Sequence, residues 1–180
     1  MCRDMCTWRT YPGIFRGGGG GAGDDGGMSD DLGDAVGDGL GDAVSETEPD
    51  RELLAAATRA HLGAYCPYSH YRVGAAIRTG SGRIFACCNV ENAAYPQSSC
   101  AEAGVVSMMV AAGEREIVEV VTVCDGEITG TCCGACRQRL REFAALETPV
   151  HAAGPEGIRA TFTLAELLPH SFGPEHLQAF

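Results

Sequence analysis

Two cysteine clusters constrain the fold of this chain more than any other feature of its sequence. One is Cys100-Ala-Glu102 and the other is Cys133-Gly-Ala-Cys136. The two-residue spacing in the second cluster lets two thiolates reach one tetrahedral metal ion, and Cys100 would supply a third ligand from another helix start. If all three cysteines bind one metal ion, the chain must fold so that these two distant segments meet at one point.

A three-thiolate site of this kind indicates a catalytic metal centre and not a structural one. Three protein ligands leave one coordination position open, and water can bind there and be activated. On a helix that begins at Cys100, Glu102 would lie beside that water without becoming a ligand, which suits a group that transfers protons. The alternative is a redox pair, Cys133 and Cys136, with Cys100 as a buried thiol.

The chain changes in character near residue 50. Residues 1–50 hold 13 of the 25 glycines and few large apolar side chains. Burial therefore cannot offset the entropy lost when such a segment is ordered. We predict a disordered Gly/Asp-rich tail over residues 1–50 and one compact domain over residues 51–180.

The charge and the cysteine content exclude several classes of protein. The net charge is −11, and the 13 basic residues are all arginine, so a phosphate-binding surface for nucleic acid is not expected. No apolar run approaches the roughly 20 residues of a membrane span, and no secretory signal is evident. We expect a soluble, cytoplasmic protein whose ten cysteines are reduced thiols or metal ligands.

Short helices and strands alternate from residue 51 onwards. Apolar spacing and glycine stops indicate helices, while β-branched runs and glycine turns indicate strands. This alternation predicts an α/β domain in which helices pack on a mixed sheet. The expected elements are a helix from about 50 to 62, a hairpin of strands 73–77 and 83–88, a helix over 100–112, a buried strand over 117–123, a helix over 136–145, strands 149–152 and 158–162, and a helix over 164–168.

The cysteine clusters and three further segments resemble the small homotetrameric zinc-dependent cytidine deaminases. Zinc deaminases carry a His-or-Cys-x-Glu segment followed by Pro-Cys-x-x-Cys. The further segments are 64–76, 88–92 with Tyr95-Pro96, and 166–177, so the likeness covers nearly all of residues 51–180. The resemblance implies a three-layer α/β/α sandwich around a five-stranded mixed sheet.

The resemblance also implies an activity, which is the zinc-dependent hydrolytic deamination of cytidine and deoxycytidine to uridine and deoxyuridine in pyrimidine salvage. A nucleoside would be the substrate and Zn²⁺ the cofactor. The implied metal ligands are Cys100, Cys133 and Cys136, and the implied general acid and base is Glu102.

Five substrate contacts follow from the same resemblance. Asn89 and Glu91 would bind the ribose hydroxyls, since an amide beside a carboxylate can donate to and accept from a diol. The backbone N–H of Ala101 would bind the base carbonyl, and Tyr71 would stack on the base. Phe172 would reach from one subunit of a homotetramer towards the active site of a neighbour.

The sequence departs from the family pattern at three positions. Tyr71 replaces the usual Phe, which preserves an aromatic face for stacking. Cys132 replaces a Pro, so two adjacent thiols are candidate ligands, although only Cys133 keeps the two-residue spacing. Ala103 replaces an Arg that would balance the negative charge of a three-thiolate site. Two helix N-termini, together with Arg137, are expected to supply that positive potential instead.

Other functions remain open at this point. The chain could deaminate a nucleoside-like antibiotic, or it could be a structural zinc module with a closed four-ligand shell. A thiol oxidoreductase is disfavoured because no thioredoxin-like pattern surrounds the paired cysteines. Tyr71 and Phe172 could also be core aromatics, and Asn89 and Glu91 could be turn residues.

Overall fold

The computed structural model of the chain describes residues 51–177. The predicted tail over residues 1–50 lies outside them, so its disorder stays a prediction. None of the helices between residues 51 and 177 is both long and apolar enough to cross a membrane. The elements are α1 (Arg51–Leu62), β1 (Val73–Thr79), β2 (Ile84–Cys88), α2 (Ala101–Ala111), β3 (Ile117–Cys124), α3 (Gly134–Arg141), β4 (Pro149–Gly154), β5 (Gly157–Thr163) and α4 (Leu164–Leu167).

The five strands form one mixed sheet in the order β2-β1-β3-β4-β5. Only β3 and β4 are parallel, and α3 lies between them in the chain. The central strand β3 is covered on both faces, which explains its β-branched sequence: Val120, Val121 and Val123 are all buried. The predicted five-stranded mixed sheet is confirmed.

Helices cover both faces of the sheet. On one face, Leu53 and Ala57 of α1 pack with Ala76 and Val121. On the opposite face, the core is formed by residues of α2 and α3 together with the other side of the same strands, and Val105 is among them. The predicted three-layer α/β/α sandwich is therefore confirmed, and it places the first turns of α2 and α3 on the same side of the sheet.

Helix α1 approaches β1 so closely that Gly74 has no room for a side chain. A Cβ atom at this position would lie 2.3 Å from the carbonyl oxygen of Ala57 and 2.3 Å from the backbone nitrogen of His61. Since both atoms belong to helix backbone, they cannot move aside without shifting α1. Glycine at this position thus permits the close packing of α1 on the sheet.

Helix α3 begins earlier and ends earlier than the sequence pattern predicts. It covers Gly134–Arg141 instead of residues 136–145. The helix stops because the chain beyond it pairs with the start of β3: the N–H of Ile117 donates to the carbonyl of Phe143, and Ala144 forms a parallel bridge with Ile117. Tertiary pairing overrides the local helical preference here, and the earlier start places Cys136 in the first turn.

Candidate active site

Helices α2 and α3 both begin at a cysteine. Cys100 is the N-cap of α2 and Cys133 is the N-cap of α3, each with extended backbone. The Cys100 side chain accepts no capping hydrogen bond from its helix, whereas the Cys133 thiol accepts one from the backbone of Cys136, and the two sulfur atoms lie next to each other. The positive ends of two helix dipoles therefore converge on one group of sulfur atoms, as the sequence predicts.

The three cysteines form a cluster that matches the geometry of zinc. The Sγ atoms of Cys100, Cys133 and Cys136 all lie within 4.8 Å of one another, and the Sγ atoms of Cys100 and Cys133 are 3.8 Å apart. In a tetrahedral site with Zn–S bonds of about 2.3 Å, two sulfur ligands are separated by about 3.8 Å. Cys136 is buried, whereas the other two cysteines reach the surface. The donor set thus fits zinc and leaves a side open.

The three thiols differ in how readily they ionise. Burial raises the pKa of Cys136 and also that of Cys100. Burial acts in the same direction on Cys133, but hydrogen bonds from the Cys136 backbone and from the neighbouring thiols outweigh it and lower the pKa of Cys133. Because a metal binds thiolates, Cys133 would be the most readily deprotonated of the three candidate ligands.

Cys132 lies outside the sulfur cluster. Its side chain is 1% exposed and belongs to the apolar core beneath α2 and α3. Burial raises the pKa of this thiol to about 12. Of the two adjacent thiols, the structure brings only Cys133 to the other two candidate ligands.

A cavity of about 590 Å³ opens beside the cysteines. Glu102, in the first turn of α2, lines it and is only 3% exposed. Burial raises the pKa of the Glu102 carboxyl group, while the Cys136 thiol and the Thr122 hydroxyl oppose the shift in part. The carboxyl group is thus almost completely buried next to the sulfur cluster.

Tyr71 and Ala101 also line this cavity. Tyr71 is 41% exposed, so it is not a core aromatic. Its hydroxyl group lies close to the thiol of Cys124, and burial raises the pKa of Tyr71. Ala101 is the first residue of α2, and the first backbone bond within that helix runs from the N–H of Gly104 to the carbonyl of Cys100. The N–H of Ala101 therefore belongs to the unpaired start of the helix.

Asn89 lines the cavity and also forms hydrogen bonds with the backbone of two other lining residues. Its side-chain amide donates to the carbonyl of Tyr71 at 3.0 Å, and its side-chain oxygen accepts from the N–H of Val73 at 2.8 Å. An amide group has a second N–H and a second lone pair, so these bonds leave capacity for a ligand.

Glu91 binds the turn that precedes Tyr71. Its carboxylate accepts hydrogen bonds from the backbone N–H groups of Tyr68 and Ser69 and from the Ser69 hydroxyl. The Ser69 hydroxyl, followed by these backbone donors, lowers the pKa of Glu91. Asn89 and Glu91 therefore combine a structural role with a position on the cavity surface.

Phe172 is not among the residues that line this cavity. Its ring is stacked on His176 with the centroids 4.9 Å apart, and its carbonyl accepts a hydrogen bond from Gln138. Because Phe172 is 56% exposed, the alternative that it fills the core of its own chain is wrong.

Several cavity residues received no role from the sequence. Three of them lie within segments that resemble the family, and this resemblance is the signal that could have identified them: Tyr68, Ser69 and Tyr95. Cys124 is the last residue of the central strand, and only the fold brings the end of that strand to the cavity. The remaining lining residues without a sequence-based role include Val90, Ser98, Ser99, Gly130 and Thr131.

Comparison with known protein families gives a match over more than half of the chain. Residues 47–152 match the model of the cytidine and deoxycytidylate deaminase zinc-binding region. The curated cytidine deaminase of Sporosarcina psychrophila is 38% identical over 126 residues, which are 70% of this chain and 93% of that protein. The cytidine deaminase of Halalkalibacterium halodurans is 36% identical over 129 residues, 71% of this chain and 98% of that protein.

Solved structures show the same similarity. The crystal structure of cytidine deaminase from Burkholderia pseudomallei superimposes with a TM-score of 0.63 at 35% identity, covering 67% of this chain and 97% of that one. The crystal structure of cytidine deaminase from Mycobacterium tuberculosis gives a TM-score of 0.58 at 37% identity, covering 68% and 95% of the two chains.

Proposed function

Because this chain belongs to the cytidine and deoxycytidylate deaminase family, we propose that it catalyses the zinc-dependent hydrolytic deamination of cytidine and deoxycytidine to uridine and deoxyuridine. The observation that carries this proposal is the position of Glu102, buried in the cavity beside three sulfur atoms that are spaced for zinc. A structural zinc module needs neither a cavity nor a buried carboxyl group next to its metal. An open ligand position beside a proton-transfer group is typical of a catalytic centre.

Cys100, Cys133 and Cys136 would hold the metal, and Glu102 would move the protons. When bound, Zn²⁺ acts as a Lewis acid that makes a water molecule nucleophilic at neutral pH. Glu102 accepts a proton from the water that attacks C4 of the base and delivers it to N3. The same carboxylate then transfers the second proton to the departing amino group, so that uridine and ammonia are formed.

The cavity residues would orient the nucleoside for this attack. The Tyr71 ring would stack on the base, and the Ala101 N–H at the start of α2 would bind the base carbonyl. Asn89 and Glu91 would bind the ribose hydroxyls with the capacity left over from their backbone bonds. Holding the base in one orientation lowers the entropic part of the barrier.

We further propose that the protein works in pyrimidine salvage in the cytoplasm and assembles as a homotetramer. Support for the assembly comes from Phe172, which is exposed on one chain and is not part of the lining of that chain's own cavity. In a tetramer, this ring would close the cavity of a neighbouring subunit and exclude water from it.

Loss of the cytidine absorbance on addition of purified protein tests the activity directly. We expect turnover that a strong chelator abolishes and added zinc restores. Turnover that is insensitive to the chelator, or the absence of turnover in a zinc-loaded protein, would contradict the proposed function.

Replacing the proton-transfer group separates catalysis from metal binding. Glu102→Gln removes a proton acceptor but no metal ligand, so we expect zinc content to stay at the wild-type level and kcat to fall by about 10²-fold to 10⁴-fold. Glu147→Gln, at an exposed carboxylate, is the matched control and should keep wild-type kcat. Near-normal turnover of the Glu102 variant would exclude this mechanism.

A further inference from the structure

The segment that carries Cys133 has little regular structure of its own. Residues 125–133 connect the end of β3 to the start of α3 without forming a helix or a strand, and residues 126–129 are exposed. Glycine at positions 126 and 130 adds backbone freedom, and Gly126 has a positive φ of 88°. Something must therefore hold the last part of this loop if Cys133 is to stay within bonding range of a metal shared with Cys136.

Arg137 makes the contacts that hold the last part of this loop. Its Nε donates to the carbonyl of Cys132 at 2.8 Å, and one terminal nitrogen donates to the Thr131 hydroxyl at 2.7 Å. The other terminal nitrogen donates to the carbonyl of Leu167 at 2.8 Å. All three nitrogen atoms of one half-buried guanidinium group are thus bonded, and two of them bind the residues immediately before Cys133.

The geometry of the guanidinium group makes this attachment stiff. Its nitrogen atoms are coplanar, so the acceptors on Thr131 and Cys132 are fixed relative to each other as well as to α3. Hydrogen bonds from a charged donor are roughly twice as strong as neutral ones. Leu167 ends α4, where the last carbonyls lack partners within the helix, so the third bond ties the loop and α3 to a further element.

The negative charge of a three-thiolate zinc site also favours a cation at the position of Arg137. Three thiolates on one divalent cation leave a negative site, and the residue after Glu102 is Ala103, which carries no charge. Arg137 follows the buried ligand Cys136 directly in α3 and places a permanent positive charge behind the ligand loop.

We propose that Arg137 is a positioning residue of the metal centre: it holds the loop that ends in Cys133 and thereby slows the release of zinc. This inference rests on the proposed zinc site. Outer-shell partners of metal ligands typically change metal affinity by about 10-fold to 100-fold when they are replaced. Arg137 would act on the site through the backbone of the loop, without touching the substrate.

Arg141 supplies a matched control on the same helix. It is also bonded to another part of the chain, donating to the Ser171 hydroxyl and to the Glu175 carboxylate. These partners belong to the C-terminal segment and not to the ligand loop. Arg141→Ala therefore removes a comparable arginine and leaves the Cys133 loop attached.

The experiment measures the rate at which zinc-loaded protein transfers its metal to an excess of a chromogenic chelator. We expect Arg137→Ala to release zinc about 10-fold to 100-fold faster than the wild type. Arg137→Lys should be intermediate, because an ammonium group cannot bind three acceptors in one plane. Arg141→Ala should lower the melting temperature but release zinc at the wild-type rate.

Cobalt substitution gives an independent readout of ligand geometry. The absorption bands of the cobalt-loaded protein should change in Arg137→Ala and stay as in the wild type in Arg141→Ala.

Two results of the zinc-release experiment would overturn the inference. One is release of zinc from Arg137→Ala at the wild-type rate. The other is an equal increase of the release rate in Arg141→Ala, which would indicate general destabilisation. If Arg137→Ala does not fold, wild-type release from Arg137→Lys would overturn it. A wild-type protein that binds no zinc would instead overturn the metal centre on which the inference depends.

Discussion

At the scale of single residues, Cys132 and Cys133 show how position decides the chemistry of identical side chains. The backbone at Cys133 is extended, and successive side chains of an extended chain point in opposite directions. Cys133 projects towards the other two sulfur atoms, whereas Cys132 enters the apolar core. Their pKa values shift accordingly, to about 12 for Cys132 and below the ordinary thiol value for Cys133.

Metal content of single-cysteine variants tests this distinction. Cys133→Ala and Cys136→Ala should lose the bound zinc, because a two-thiolate site binds it far less tightly. Cys132→Ala should keep its zinc and lose only about 1 kcal/mol of stability, since it removes one buried sulfur atom. Elemental analysis of the purified variants decides the matter. Loss of zinc from Cys132→Ala alone would show that the ligand assignment is wrong.

At the scale of elements, Asp125 joins three parts of the fold next to the cavity. It follows the last residue of β3, and its carboxylate accepts hydrogen bonds from the backbone and side chain of Arg72. It also contacts the Nε2 atom of His61 in α1 at 2.9 Å. Burial opposes ionisation, but the bonds from Arg72 and His61 outweigh it and lower the pKa of Asp125. The segment that carries Tyr71 is thereby attached to α1 and to the central strand.

The lowered pKa of Asp125 predicts a dependence of stability on pH. The ionised carboxylate stabilises the fold fully above the unfolded-state pKa of about 3.9, and this contribution is lost as the pH falls through the lower folded-state value. Asp125→Asn should therefore be less stable than the wild type at pH 7, and the difference should shrink below about pH 4. Urea unfolding between pH 3 and pH 7 measures the difference in the free energy of unfolding between Asp125→Asn and the wild type. Glu127→Gln, at an exposed position in the same loop, should follow the wild type, and a pH-independent difference for Asp125→Asn would contradict the prediction.

At the scale of the whole molecule, several large side chains remain exposed around the cavity entrance. Tyr68 and Tyr95 pack edge to face with their ring centroids 5.8 Å apart, and both are exposed. Phe172 is exposed elsewhere on the chain. In the proposed homotetramer, a neighbouring subunit would cover large apolar groups of this kind.

Truncation of Phe172 tests the proposed shared site. If its ring stacks on a base in a neighbouring subunit, Phe172→Ala should weaken nucleoside binding by about 1 to 3 kcal/mol, which appears as a higher KM. Zinc content and melting temperature should change little, because the side chain does not fill its own core. Light scattering, thermal melting and cytidine kinetics provide the three readouts. A fully active wild-type monomer would refute the shared site.

Deletion of the N-terminal region tests the predicted domain boundary. The match to the family begins at residue 47, and the preceding sequence is rich in glycine and poor in large apolar residues. Removing residues 2–46 should leave zinc content, melting temperature and kcat close to those of the full chain. A large loss in any of these quantities would assign the region a structural role.

The sequence by itself determined the elements, the sheet type and the candidate chemistry of this protein. The β-branched run of β3, the glycine turn of the hairpin and the two cysteine clusters are local patterns whose meaning depends on few neighbours. Only tertiary structure decided where α3 ends, because the residues after it pair with β3 instead of continuing the helix.

Several contacts in the candidate active site were likewise decided only by the tertiary structure. No local pattern indicates that the side chains of Asn89 and Glu91 are bonded to the backbone of residues 68–73, or that Arg137 holds the loop before Cys133. These contacts join residues that are distant along the chain or that meet across a loop of irregular shape. Spacing along a helix or strand fixes which side chains share a face, whereas the partners of a long polar side chain depend on how the packed layers bring separate segments together.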